Sequence, residues 1–149
     1  MAAGPMSDVL GLRPGAPAVP LSLLDEVEKG LPLAALDRLA RSVAPGDAGF
    51  PTRLVARATL ARRRRALAAG GNAATARLSA EESARVARLA AVWARAREVW
   101  GSENDARAFL FRPHPLLDGR RPIDVVLANE FGRQPVEDIL GGLQYGTAA

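Results

Sequence analysis

Residues 79–101 read SAEESARVARLAAVWARAREVWG, and this stretch decides the fold class. Ser79 followed three residues later by Glu82 is a capping box: the serine hydroxyl accepts the glutamate amide while the carboxylate reaches back to the serine amide. The pattern predicts a helix over Ala80–Trp100, about 30 Å long at ~1.5 Å per residue. Val86, Leu89, Trp93, Ala96 and Trp100 recur at alternating intervals of three and four and form one apolar stripe. Arg85, Arg88 and Arg95 fall away from it, and Gly101 stops the helix. The stripe reads mainly as core, with a dimer interface as its second use.

On the N-terminal side, a helix over Leu21–Lys29 ends at Gly30, and Pro32 opens another in which Leu33, Leu36, Leu39, Ala40 and Val43 share a face. Pro45-Gly46 closes that helix. Pro51 opens a short helix over Thr52–Ala58, a further helix covers Thr59–Ala69, and Gly70-Gly71-Asn72 ends it. Residues 1–20, rich in Ala, Gly and Pro, read as a flexible arm. On the C-terminal side, Ser102 caps a helix over Glu103–Phe111. Arg112-Pro113-His114-Pro115 is non-helical because each proline pushes its predecessor to extended geometry. Residues 116–121 form a turn-rich loop and Pro122 starts a short helix through Leu127. A last helix over Glu130–Leu140 uses Phe131, Val136, Ile139 and Leu140, and Gly141-Gly142 breaks or loosens it. Alternation suited to strands is missing, so the fold class is all-α.

A chain of 149 residues holds one domain or two small ones. It contains no cysteine, which removes disulfides and thiolate chemistry and suits a reducing compartment. No apolar run approaches the ~20 residues of a membrane span, and the N-terminus lacks the pattern of a signal peptide, so a cytoplasmic protein is expected. Catalysis requires a nucleophile beside a base, an offset acid–base pair, or a metal cage. The single histidine, His114, lies between two prolines and reads as a residue that shapes a loop or contacts a partner. Glu81-Glu82 and Glu137-Asp138 are sequence neighbours that point to different helix faces. No glycine-rich phosphate loop is present. The expectation is a protein without enzyme activity, cofactor or metal.

The net charge of +4 is unevenly spread. Between Ala48 and Arg77 stand Arg53, Arg57, Arg62, Arg63, Arg64, Arg65 and Arg77 without a single acid. Genomic bias explains arginine in place of lysine but not the missing acids. A solvated charged face is the plain alternative; the unneutralised run favours a polyanion. A helix carrying Arg62–Arg65 directly after a short helix has the spacing of a helix-turn-helix. The candidate DNA-binding residues are Arg53, Arg57, Thr59, Arg62, Arg63, Arg64 and Arg65, clamping phosphates with one or two reaching bases. A homodimer is expected, because one short recognition helix reads too few bases. The C-terminal third gathers Phe109-Leu110-Phe111, Leu116-Leu117 and Ile123 around a proline-bounded loop. Such a surface suits protein recognition, with arginines as anchors.

Four segments, in order, resemble the Xre/MbcA/ParS family of antitoxins: Thr59 to Arg63, Arg77 to Arg85, Leu116 to Ile123, and Val136 to Leu140 with Tyr145-Gly146. The likeness spans roughly residues 21–146. It departs at Phe109, where the family often has tryptophan, and at Ala66–Ala76, which lengthens the segment before Arg77. The resemblance implies a helix-turn-helix-like DNA-binding and dimerisation domain over 21–77 that represses its operon. It implies a toxin-binding domain over 78–149, paired with a RES-domain toxin whose NAD⁺ pocket it closes. Carried over by position, the toxin-facing residues are Pro113, Leu116, Leu117, Gly119, Arg120, Arg121 and Pro122, with Gln144, Tyr145 and Gly146. A carboxylate at Ala149 is suited to compete for the cationic donors of such a pocket. The alternative is a stand-alone transcription regulator whose C-terminal part only dimerises.

Overall fold

A computed structural model describes residues 9–10, 20–72 and 76–146. Among these residues the chain is all-α, and it divides into two compact units, Met1–Ala87 and Arg88–Ala149. The division falls inside the longest helix rather than at its start.

The first unit holds α1 (Pro20–Lys29), α2 (Leu33–Val43), a 3-10 turn (Phe50–Arg53), α3 (Arg57–Ala68) and the opening turns of α4 (Ala80–Trp100). Helix α2 forms as its spacing predicts, burying Leu33, Ala35, Leu36, Leu39, Ala40 and Val43 while Arg38 and Arg41 stay outside. The capping box of α4 is made: the Glu82 amide donates to Ser79 Oγ at 3.1 Å, and the Ser79 amide donates to Glu82 Oε1 at 2.8 Å.

Two expectations change in this unit. The helix expected over Thr52–Ala58 is a single 3-10 turn, closed by the Leu54 amide on the Pro51 carbonyl. Phe50, Leu54 and Val55 are all buried, and Ala56, with ψ of 139°, is extended and separates this turn from α3, which starts at Arg57. The arginine helix therefore follows a turn and not a first helix of a pair. Of the segment read as a flexible arm, Val9 and Leu10 are helical and buried; the surrounding Ala, Gly and Pro hide these two apolar neighbours from a reading by composition. Residues 1–8 and 11–19 lie outside the described residues.

Long-range bonds brace the linker between α1 and α2. Gly30 has φ +94°, and a β-carbon there would fall 2.3 Å from the Leu78 carbonyl oxygen, so only glycine fits. Arg77 Nη1 donates to the Gly30 carbonyl at 2.6 Å and the Leu78 amide to the Leu31 carbonyl at 2.9 Å. The fully buried Ser83 accepts the Leu31 amide at 2.8 Å. It thereby satisfies a donor that the break at Gly30 leaves without a helical partner.

The second unit holds the rest of α4, then α5 (Glu103–Phe111), a 3-10 turn (Pro115–Leu117), α6 (Pro122–Ala128), a 3-10 turn (Glu130–Gly132) and α7 (Arg133–Tyr145). Leu89, Val92, Trp93 and Ala96 are fully buried, whereas Trp100, at the end of the expected stripe, is exposed. The guanidinium carbons of Arg97 and Arg107 stand 5.8 and 5.7 Å from the Trp93 ring, within cation–π range. Ser102 caps α5 by accepting the Asp105 amide at 3.1 Å. Arg88, expected to face away, donates from Nε to the Val126 carbonyl at 2.7 Å.

Helix α7 departs from expectation twice. It runs through Gly141-Gly142 and ends only at Gly146, whose φ of +71° supplies the left-handed cap. Each interior glycine costs about 1 kcal/mol of propensity, but burial of Val136, Ile139 and Leu140 outweighs that. Phe131, expected in the core, is 78% exposed on the turn before α7. No helix among the described residues is long and apolar enough to cross a membrane.

Candidate functional site

The loop between α5 and α6 is closed by one residue. The His114 amide donates to the Arg120 carbonyl at 3.0 Å, and the His114 carbonyl accepts the Leu117 and Gly119 amides, each at 3.0 Å. Its Nδ1 accepts the Leu116 amide at 3.1 Å. Asp118 and Gly119, with φ of +56° and +79°, turn the chain back, and Pro115 fixes the entry. The histidine shapes the loop, with its side chain and backbone both engaged.

This closure sorts the residues that the sequence brings to the toxin-facing surface. Leu117 and Pro122 are buried, a correction for both: they hold the loop down and offer no side chain outward. Their apolar character, read as surface, is anchorage. Pro113, Gly119 and Arg120 are exposed, and Leu116 is 61% exposed. Arg121 forks onto Asp124, with Nε and Nη2 at 2.8 and 3.0 Å from the two carboxylate oxygens. It also stands 5.7 Å from the Phe111 ring. The Asp124 hydrogen bonds and charge raise the Arg121 pKa above its ordinary value, so it is a fixed cation.

Gln144 and Tyr145 sit on the last turn of α7, not on an irregular tail, and both are exposed, as is Gly146. Gln144 Nε2 lies 3.4 Å from Glu98 Oε1. On the other side, ring centroids link Trp100 to Phe109 at 6.0 Å and Phe109 to His114 at 6.1 Å. Loop and helix end thus both border the last turn of α4. Thr147–Ala149, where the competing carboxylate is expected, lie outside the described residues. Sequence reasoning misses Phe131 as a surface residue, because a large aromatic side chain at the start of an expected helix reads as core.

The arginine run of α3 meets acids in space that it lacks in sequence. Arg63 Nη1 pairs with Glu82 Oε1, both side chains being largely buried. Arg64 forks onto Asp37 at 3.0 and 2.8 Å. The unneutralised run is therefore corrected at these two positions. Burial pushes the Glu82 carboxyl up, but the Ser79 amide and the Arg63 guanidinium together pull it further down, below the ordinary glutamate range. Arg57, Arg62 and Arg65 are exposed and have no ion pair among the described residues. Arg53 is exposed over the Phe50 ring, 5.9 Å from its centroid, and Thr59 is half-buried.

A search of curated proteins finds no match to the chain. A family model does match, over residues 95–146: the antitoxin Xre/MbcA/ParS C-terminal toxin-binding domain. That stretch takes in the end of α4, the His114 loop and α7 through its cap at Gly146. The resemblance drawn from the sequence holds over residues 95–146, which match the toxin-binding domain of the Xre/MbcA/ParS antitoxins.

Proposed function

We propose that the chain is an antitoxin that covers the NAD⁺ pocket of a RES-domain toxin and represses its own operon by binding DNA. The observation that carries this reading is the toxin-binding domain over 95–146, folded around a loop whose shape is already set. A rigid loop loses little entropy on association, so most of its contact energy is available for affinity. Leu116 and Arg120 then meet the toxin directly, Arg121 as a cation held in place. The test is purification with the protein encoded by the adjacent gene. NAD⁺ turnover appears only when this chain is removed; turnover unaffected by saturating chain rejects the reading.

For DNA, the phosphate-facing set is Arg53, Arg57, Arg62 and Arg65, with Arg63 and Arg64 engaged by Glu82 and Asp37. Three or four phosphate contacts give a slope of log affinity on log salt of about −3 to −4. Replacing Arg57, Arg62 and Arg65 with alanine flattens it toward zero. A slope that survives the triple substitution rejects this surface as the DNA contact. Salt-dependent binding to DNA without any co-purifying partner supports the stand-alone regulator instead.

A further inference from the structure

Phe131 and Tyr145 are the most exposed large hydrophobic side chains among the described residues, at 78% and 73%. They are fourteen residues apart on an almost unbroken helical path, since the turn Glu130–Gly132 runs directly into α7. Four turns of helix return a residue to nearly the same face, about 21 Å further on. Gln134, Asp138 and Gly142 lie between them on that face, while Val136, Ile139 and Leu140 on the opposite side are buried. The face therefore carries an aromatic group at each end, a carboxylate at its midpoint and no side chain at Gly142.

Charge decides what covers it. Asp138 accepts from Gln134 Nε2 at 2.8 Å and meets no cation among the described residues. A second copy packed about a two-fold axis through the middle of this face would set Asp138 against Asp138, and like charges at contact repel. An anionic lipid surface is disfavoured by the same carboxylate and by Glu130. A protein groove with a basic side chain between two apolar pockets fits all three features. Aromatic residues are enriched in the buried centres of interfaces.

We infer that this outer face of α7 docks into a groove of the toxin, Phe131 and Tyr145 filling apolar pockets about 20 Å apart and Asp138 pairing with an arginine or lysine between them. The inference rests on the toxin-binding reading of the domain and adds Phe131, Gln134 and Asp138 to its surface.

The test is calorimetric titration of the full chain into the protein encoded by the adjacent gene. Phe131→Ala and Tyr145→Ala each weaken binding at least about tenfold, as truncated anchors do. Asp138→Arg weakens it further, and Arg133→Ala, off the face, leaves it within about twofold. Circular dichroism and sedimentation check fold and oligomeric state for each variant. If the unmodified chain binds and all three face variants bind within twofold of it, the docking face is overturned while the toxin reading stands. If the unmodified chain does not bind, both fall. If the variants split a dimer and leave partner binding intact, the face belongs to a second copy and the inference is overturned.

Discussion

Gly132 lies so close to Val125 that a β-carbon at residue 132 would stand 1.8 Å from the Val125 carbonyl oxygen. The obstacle is backbone and cannot swing aside. Gly132→Ala must separate the start of α7 from α6, and overpacking of this kind costs about 3 kcal/mol. Gly141→Ala is the contrast: its new methyl meets Arg95 Nη2 at an ordinary 3.8 Å, and relief of a mid-helix glycine adds up to about 1 kcal/mol. Urea denaturation separates the two; equal effects would refute the packing argument.

Glu82 joins α3 to the start of α4 by accepting from both Ser79 and Arg63. Glu82→Gln keeps an acceptor for the Ser79 amide but leaves Arg63 largely buried without its counter-charge. The expected loss is about 2 kcal/mol, because the pair retains some solvent access and full burial would cost more. Arg62→Ala, one position away on the exposed side, changes stability by less than about 0.5 kcal/mol. Chemical denaturation of both variants checks the difference.

The same carboxylate makes stability depend on acid. Its folded pKa is depressed, so the folded state favours the charged form and the unfolded chain binds the proton more readily. The stabilisation is present above the ordinary glutamate value of about 4.3 and is lost as pH falls through the lower folded value. Melting temperature followed downward from pH 6 therefore drops in the unmodified chain. In Glu82→Gln the drop is shallower by this one group's share, and identical profiles would remove Glu82 as a source.

Gly119 has φ +79°, and a β-carbon there would meet nothing within 4 Å. Gly119→Ala thus brings no clash, and its cost is the left-handed backbone alone, about 1 kcal/mol. Because His114 closes the loop partly through the Gly119 amide, the strain is released by opening that turn. The variant keeps its fold, shows faster amide exchange at Leu116–Arg120, and binds its partner more weakly. Unaltered exchange would show that the turn does not depend on glycine.

Features governed by neighbours in the chain are legible from the residues themselves. The Ser79–Glu82 box, the Ser102 cap, the start of α6 at Pro122 and the non-helical Pro113-His114-Pro115 all follow from side chains within a few residues. The loop-forming role of His114 is one of the two readings its flanking prolines leave open. What escapes depends on partners far along the chain: Arg63 finds Glu82 19 residues away and Arg64 finds Asp37 27 residues away. The expected Thr52–Ala58 helix is cut by extended backbone at Ala56, a residue whose own propensity favours helix. Gly141-Gly142 misleads in the opposite sense, since glycine weakens a helix without forbidding it. For the candidate site, the exposed loop residues are legible, but the inward turn of Leu117 and Pro122 is not. Apolar residues on a short loop look alike whether they anchor it or face a partner.

The closure of residues 114–120 upon His114 also bears on kinetics. A contact surface whose turn is assembled beforehand imposes no folding step on encounter, so association is limited by diffusion and orientation, with rate constants of about 10⁵–10⁷ M⁻¹s⁻¹. On the proposed toxin-facing reading, strength is then set by how slowly the complex comes apart, and substitutions at Leu116 or Arg120 alter residence time and leave the speed of capture nearly unchanged.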